Sequence, residues 1–324
     1  MENFLYKIAI KIRILEGGLQ SRFLLDKGME NLLFYVFLGM FLSGAVLFGM
    51  NQYTRKQDAE NLYRQQQELA LLKKEGVDTA DIQSQESNYD VLGTERETTG
   101  EETTEKEVEV QDKTLYAENG MLAEYVALFE KNKDMIGWLT IEGTVIDYPV
   151  MQTVQEEEYY LRRDFYGNEN QNGSLLMDTD SVVGTGRKEL GYGVQSKPST
   201  NLIIHGHTMK TGNMFGTLER YKNQEYGKEH AIICFDSLYE KREYELISVF
   251  YSQVYKQNEK VFKYYKFFQA DTREEFDDWY ENIKTLSLYD TGVTADFGDE
   301  FITLSCCAYP SEDKRFVVVG KRIK

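Results

Sequence analysis

Cys307 closes the run FITLSCC, Arg315 opens RFVVVG and His207 follows NLIIHG, so each stands at the mouth of a predicted strand. A thiol with a reference pKa near about 8.5 keeps only a few per cent as thiolate at neutral pH, and a nucleophilic cysteine therefore needs a base beside it. An imidazole supplies that base and can later protonate a departing amine. Arginine is permanently charged and fork-shaped, and it can hold a carbonyl oxygen as that oxygen becomes negative. Together the three residue types make an acyl-transfer site. Taken singly, a histidine or an arginine at a strand end is more often structural, so the chemistry rests on their meeting.

Strand alternation separates the two adjacent cysteines. Cys306 shares a face with Ile302 and Leu304, and Cys307 with Thr303 and Ser305, so the first thiol is expected in the core and the second toward a polar, accessible surface. On these residues alone, the reading of both as ordinary buried cysteines stays open. A disulfide between neighbours would be strained and would remove the nucleophile. The cysteines, at 234, 306 and 307, are too few for a disulfide framework and have no zinc-ligand spacing, so neither a metal nor a cofactor is expected. His230 and Cys234 have no chemical partner in sequence and are read as a strand start and a buried position.

The elements that must position these groups are short and β-rich. GWLTIEGTVIDYPVM, GSLLMD, NLIIHG, HAIICFD, EYELISVFY, EFITLSCC and RFVVVGKRI read as strands punctuated by Gly and Asn, a pattern that predicts a mainly β, closed or nearly closed barrel. Leu122, Tyr125, Val126 and Phe129 predict an N-terminal amphipathic helix. A second helix interrupts the strands before the cysteine run. Thr272 and Glu275 form its capping-box pair, and Phe276, Trp279, Tyr280 and Ile283 occupy one face. Residues 182–200 read as a surface loop to which no function attaches.

Upstream of residue 115 the composition changes twice. Residues 32–50 are an uncharged apolar run, about 28 Å long as a helix and close to the roughly 30 Å of a bilayer core. It is read as a retained transmembrane helix, since the small-residue triplet Ser43-Gly44-Ala45 lies inside the run rather than after it. Lys7, Lys11, Arg13, Arg22 and Lys27 precede the span, against Arg55, Lys56 and Arg64 after it. That bias favours a cytoplasmic N-terminus and an external C-terminal domain. Residues 4–15 suit an interfacial segment and a solvated arm equally. Residues 78–112 hold twelve acidic and two basic side chains and read as an extended tether. The expected organisation is a cytoplasmic segment over 1–31, the span at 32–50, a stalk and acidic flexible linker over 51–114, and a globular domain over 115–324. With a net charge of -17 and no basic patch, nucleic acid is excluded as a partner.

Taken as a set, these segments resemble sortases, class B in particular, over residues 115–324. TLSCC, at 303–307, resembles the family's T-L-x-T-C signature with Cys for the second Thr, and RFVVV resembles the strand that carries its arginine. NLIIHGHTMKTGNMFGTLERY is similar to the family's histidine segment, and GWLTIEGTVIDYPVMQ with the following YYL to class B sequence, as is the extra helix. The resemblance implies a sortase-like barrel and a thioester mechanism. In it Cys307 attacks the Thr carbonyl of a C-terminal sorting motif, His207 protonates the departing amine and Arg315 holds the oxyanion. Leu161, His205, Thr303 and Ser305 would line the substrate groove, with the Phe276 to Ile283 helix as one wall. The implied partners are surface proteins bearing a sorting motif, an amine of a peptidoglycan precursor or a pilin, and the lipid bilayer. Two positions depart from the pattern: Cys306 adds a competing thiol, and His205 stands where Tyr is common. Gly206 is read as a turn that separates the two imidazoles. The alternatives are a hydrolytic cysteine peptidase and a stalked, non-enzymatic binding module.

Overall fold

The computed structural model describes residues 27–90, 116–117, 119–184, 197–308 and 313–324. The alternating runs form strands β1 (Met135–Thr140), β2 (Asp147–Met151), β3 (Leu175–Met177), β4 (Asn201–Gly206), β5 (Ile232–Ser237), β6 (Glu243–Gln253), β7 (Phe301–Cys307) and β8 (Lys314–Arg322). They close into a barrel in the order β1-β2-β3-β4-β7-β8-β6-β5. Closure leaves no free strand edge. Two of the seams are parallel, β2 with β3 and β4 with β7, and the second brings the histidine and cysteine strands side by side although about a hundred residues separate them. Parallel neighbours require a crossover connection. Here β5, β6 and two α-helices make it.

Helices α1 (Lys27–Asp90), α2 (Ala123–Lys131), α3 (Gln224–Glu229) and α4 (Arg273–Leu286) accompany the strands. Inside the barrel, Leu202, Ile204, Ile302, Leu304, Cys306, Phe316 and Val318 belong to one buried cluster. The alternate residues Phe301, Val317 and Val319 point outward, where α4 covers them with Phe276, Trp279 and Ile283. Trp279 stacks on Phe267 at 4.4 Å and meets Phe301 edge-on at 4.7 Å. Each of these side chains stabilises the cover by roughly 1.5–3 kcal/mol through apolar burial. The helix starts where the sequence signals it: Thr272 accepts from the Glu275 amide while the Glu275 carboxylate accepts from the Thr272 amide. Around the barrel, α2 buries Tyr125 and Leu128 against Met135, Trp138 and Met151.

The chain divides into two units, residues 1–55 and 56–324. In the first, residues 32–50 are helical and exposed throughout, within a helix whose apolar window has a mean hydropathy of 2.2. In the second, Leu62 and Leu69 of α1 are buried in the barrel clusters. They lie seven residues apart and so share one helix face. Tyr166 donates to Glu68 at 2.7 Å, and Lys73 lies 3.4 Å from Glu124 and over the rings of Tyr125 and Trp138. Residues 57–75, read as a stalk, thus pack on the domain itself, and α1 continues to Asp90, into the stretch expected to be extended. The rest of that stretch, residues 91–115, lies outside the described residues, as do the N-terminal segment 1–26 and positions 185–196 of the 182–200 loop.

Candidate active site

Strand register assembles the site. Ser305 pairs with His205 across the parallel seam and with Val317 across the antiparallel one, and Leu176 pairs with His205 on the far side. These residues form one outward row. Two residues further along, Cys307 pairs directly with Arg315, and the next outward step of β4 is His207. Neighbouring strands lie about 4.8 Å apart, so thiol, imidazole and guanidinium arise from three adjacent strands at one level. Each lines a cleft of about 380 Å³ whose walls include Leu161, Asp178 and His205.

Gly206 corrects one expectation. It is the last residue of β4 and faces inward, where a Cβ would stand 2.5 Å from Phe215 and 2.6 Å from Leu175. A side chain there would have to displace the buried Phe215 ring, and Gly206 is paired, extended strand rather than a turn. His205 and His207 therefore both reach the cleft. The loop after them is tied back by a bridge between Thr208 and Met214 and by the Phe215 amide, which donates to the His207 carbonyl at 3.0 Å.

The two thiols differ in environment. Cys306 is 2% exposed, and burial, only partly offset by the Thr208 hydroxyl and the Arg315 charge, pushes it up to about 12. It stays a neutral core thiol at physiological pH. Cys307 is half-buried and opens on the cleft. Its carbonyl accepts from the Thr208 hydroxyl, which holds the end of β7 in place. Arg315, across from it, donates through Nη1 to the Lys314 carbonyl at 3.1 Å. Residues 309–312, which join the two strands, lie outside the described residues.

The two imidazoles differ as well. His207 Nε2 lies 2.7 Å from the Leu161 carbonyl. A carbonyl only accepts, so Nε2 carries the proton and, in the neutral tautomer, Nδ1 is the nitrogen left to accept. His205 Nε2 lies 3.3 Å from Asp178 Oδ2. One imidazole thus rests on a neutral group and the other on a carboxylate.

Leu161 sits half-buried in the 3-10 turn Tyr159–Arg162 and forms a wall of the cleft, with the carbonyl that orients His207. Ser305 is on its floor, 1% exposed, sharing a 2.7 Å hydrogen bond with the Tyr264 hydroxyl, whose own proton burial holds more tightly than usual. Thr303 is a correction. It is 1% exposed and donates to Asn201 Oδ1 at 2.8 Å, one row below the cleft, because α4 and its flanking segment already cover that level. For the same reason α4 is not a wall of the cleft: its apolar face is spent on Phe301, Val317 and Val319, and it contributes no lining residue among those described. His230 caps the end of α3 and donates through Nδ1 to the Glu142 carbonyl at 2.9 Å, and Cys234 is half-buried on β5. Asp178 and Tyr264 were missed. Each reaches its partner across the fold, and the only sequence trace of Asp178 is an acid directly after a short apolar strand.

No family model matches the sequence. Sortase B of Staphylococcus aureus (strain NCTC 8325) is 30% identical over 203 residues, 62% of this chain and 75% of that protein. Sortase B of Listeria monocytogenes is 29% identical over 221 residues, 67% of this chain and 82% of that protein. Among solved structures, a Staphylococcus aureus sortase B–substrate complex superposes with a TM-score of 0.54 at 26% identity, over 67% of this chain and 91% of that one. A Bacillus anthracis sortase B structure superposes with a TM-score of 0.51 at 28% identity, over 66% and 97%.

Proposed function

Because this chain belongs to the sortase family of cysteine transpeptidases and is class B-like, we propose that it is a membrane-anchored enzyme that cleaves a C-terminal sorting motif after Thr and transfers the acyl group to an amine. The acceptor would be a peptidoglycan precursor or a pilin. Residues 32–50 would be the single span, with the N-terminus cytoplasmic and the barrel outside. The apolar, exposed helix over those residues supports the anchor.

One observation carries the chemistry: Cys307 pairs with Arg315 across β7 and β8, and lies one strand from His207 in the same cleft. In this reading His207 Nδ1 takes the thiol proton and the sulfur attacks the Thr carbonyl carbon. The oxygen becomes negative against the Arg315 guanidinium, a stabilisation typically worth about 10²–10³ in rate. As the C–N bond breaks, the same imidazole returns its proton to the departing amine, leaving a thioester on Cys307. A second amine attacks that thioester, the C–S bond breaks and the thiol is restored.

Mass spectrometry after mixing the protein with a library of sorting peptides tests this directly. The expected result is an acyl mass on the peptide containing Cys307; no adduct, or one on Cys306, would refute the assignment. Adding an amine to a fluorogenic sorting peptide extends the test. Ligation that depends on the amine supports transpeptidation, whereas cleavage alone would make the protein a hydrolytic peptidase.

A further inference from the structure

The second half of this reaction moves more protons than one imidazole handles. A lysine-type amine, with a reference pKa of about 10.4, arrives at neutral pH almost wholly as an ammonium with three N–H bonds. The amide product keeps one. Two protons therefore leave the nitrogen: one ends on the Cys307 sulfur as the C–S bond breaks, through His207, and the other needs a separate acceptor.

We propose that His205, held by Asp178, is that acceptor, so that the two histidines of the cleft divide the proton traffic of aminolysis. The inference rests on the transpeptidase reading above. His205 is one outward step below His207 on β4 and in register with Ser305, which places its Cα roughly 8 Å from that of Cys307 by strand geometry. Its side chain is 34% exposed and lines the cleft. Nε2 faces the Asp178 carboxylate, and Nδ1 has no hydrogen-bond partner among the described residues. The arrangement is a base oriented by an acid, the device that lets an imidazole hold a positive charge without moving. His207, on the Leu161 carbonyl, has no such counter-charge in an ion pair among the described residues.

The surroundings favour an ammonium. Glu157 and Glu158, from the segment before the 3-10 turn, and Asp178, at the end of β3, face the same space, with Arg315 on the opposite side beside Cys307. Their negative charge concentrates a cationic nucleophile at that wall. Tyr264 and Ser305, which bond one another below, contribute no charge. In the proposed step the ammonium gives one proton to His205 Nδ1, directly or through one water, and the free amine attacks the thioester carbonyl. The tetrahedral nitrogen then gives its second proton to His207, which passes it to the leaving sulfur. His205 releases its proton to solvent.

The test separates the two half-reactions in the full-length protein. Acylation of Cys307 is timed by mass spectrometry with a sorting peptide that the wild type accepts, and aminolysis of the preformed acyl-enzyme is timed with n-propylamine from pH 6 to pH 10. For His205→Gln the expected outcome is a loss in aminolysis at pH 7 at least tenfold larger than any loss in acylation. The deficit should shrink as the pH approaches the amine's own pKa, where free amine needs no base. Asp178→Asn, which keeps the imidazole, should show the same pattern, and the double variant should lose no more than His205→Gln alone. Equal losses in both half-reactions, a deficit independent of pH, or additive losses in the double variant would overturn the inference in favour of a groove-shaping role. A wild type that forms no acyl-enzyme on Cys307 would instead overturn the transpeptidase reading, and the division of labour with it.

Discussion

The outward face of β7 and β8 is sealed core at its Phe301 end and open cleft at its Cys307 end. At the first, Phe301, Val317 and Val319 lie under Phe276, Trp279 and Ile283 of α4. At the second, Cys307 and Arg315 face each other across the same two strands, and no α-helical residue lines the cleft beside them among the described residues. The cover stops at Tyr264, whose hydroxyl meets Ser305 one step short of the thiol. Reactive and structural positions are thus alternate residues of a continuous pleat. The packed end gives the open end its rigidity, since a nucleophile on a strand locked by its neighbours keeps its place without support of its own.

The sharpest way to break this comparison is to remove a thiol from each face. Cys307→Ala should lower transpeptidation by at least about 10⁴-fold while moving stability by no more than about 1 kcal/mol. Cys306→Ala should do the reverse, keeping activity within a few-fold and losing about 1–2 kcal/mol through the small cavity it leaves. Peptide turnover and urea denaturation of the two variants read this out. Iodoacetamide at pH 8 adds a check: with Cys306 pushed up to about 12 by burial, alkylation should fall on Cys307. Equal labelling of both would mean the two faces are not distinct.

Truncating the cover comes next in size. Trp279 is buried against Phe267 and Phe301, and Trp279→Ala should cost about 3–5 kcal/mol in chemical denaturation. The fraction that remains folded should turn over normally, because α4 does not reach the cleft. A fall in kcat per folded molecule would instead make α4 part of the site. At the open end, Arg315→Lys keeps the charge and loses the fork. It should lower kcat by about 10²–10³ with little change in KM, as expected for a group that acts on the oxyanion and not on the ground state. A change confined to KM would place the arginine in substrate binding.

What the sequence made legible follows this division. Period-two alternation was enough to assign Cys306 inward and Cys307 outward, because β7 is regular from Phe301 to Cys307. The same alternation put Thr303 and Ser305 on the outward face, where Ser305 lines the cleft and Thr303 does not, since it tells which face a residue takes but not what covers that face. Their burial depends on α4 and Tyr264, contributed from elsewhere in the chain. Gly206 was misread for a related reason: a glycine flanked by histidines suggests a turn, yet what excludes a side chain there is Phe215, nine residues on. The Asp178 partner of His205 lies 27 residues away, and no local pattern announces a pairing over that distance. Upstream, charge density hid the Leu62 and Leu69 face that docks α1 on the barrel. Local physics reached the strands, the α4 cap and the thiol. Contacts formed by closing the barrel needed the fold.

The smallest expected effect tests whether α4 is a locally coded element or is merely held down by the core beneath it. Its capping box satisfies amides at the N-terminus that would otherwise be unpaired: Thr272 accepts from the Glu275 amide at 3.2 Å, and the Glu275 carboxylate accepts from the Asp271 and Thr272 amides at 2.9 and 3.1 Å. Those same amides hold the Glu275 carboxyl below its ordinary range. Thr272→Ala removes one acceptor at an exposed position and should cost about 1 kcal/mol. Hydrogen exchange should quicken across the first turn of α4 and leave β7 untouched. If the change reached Cys307, as slower alkylation or exchange at the end of β7, the two ends of the sheet would be coupled through the cover, and the independence of activity from α4 claimed for Trp279→Ala would fail with it.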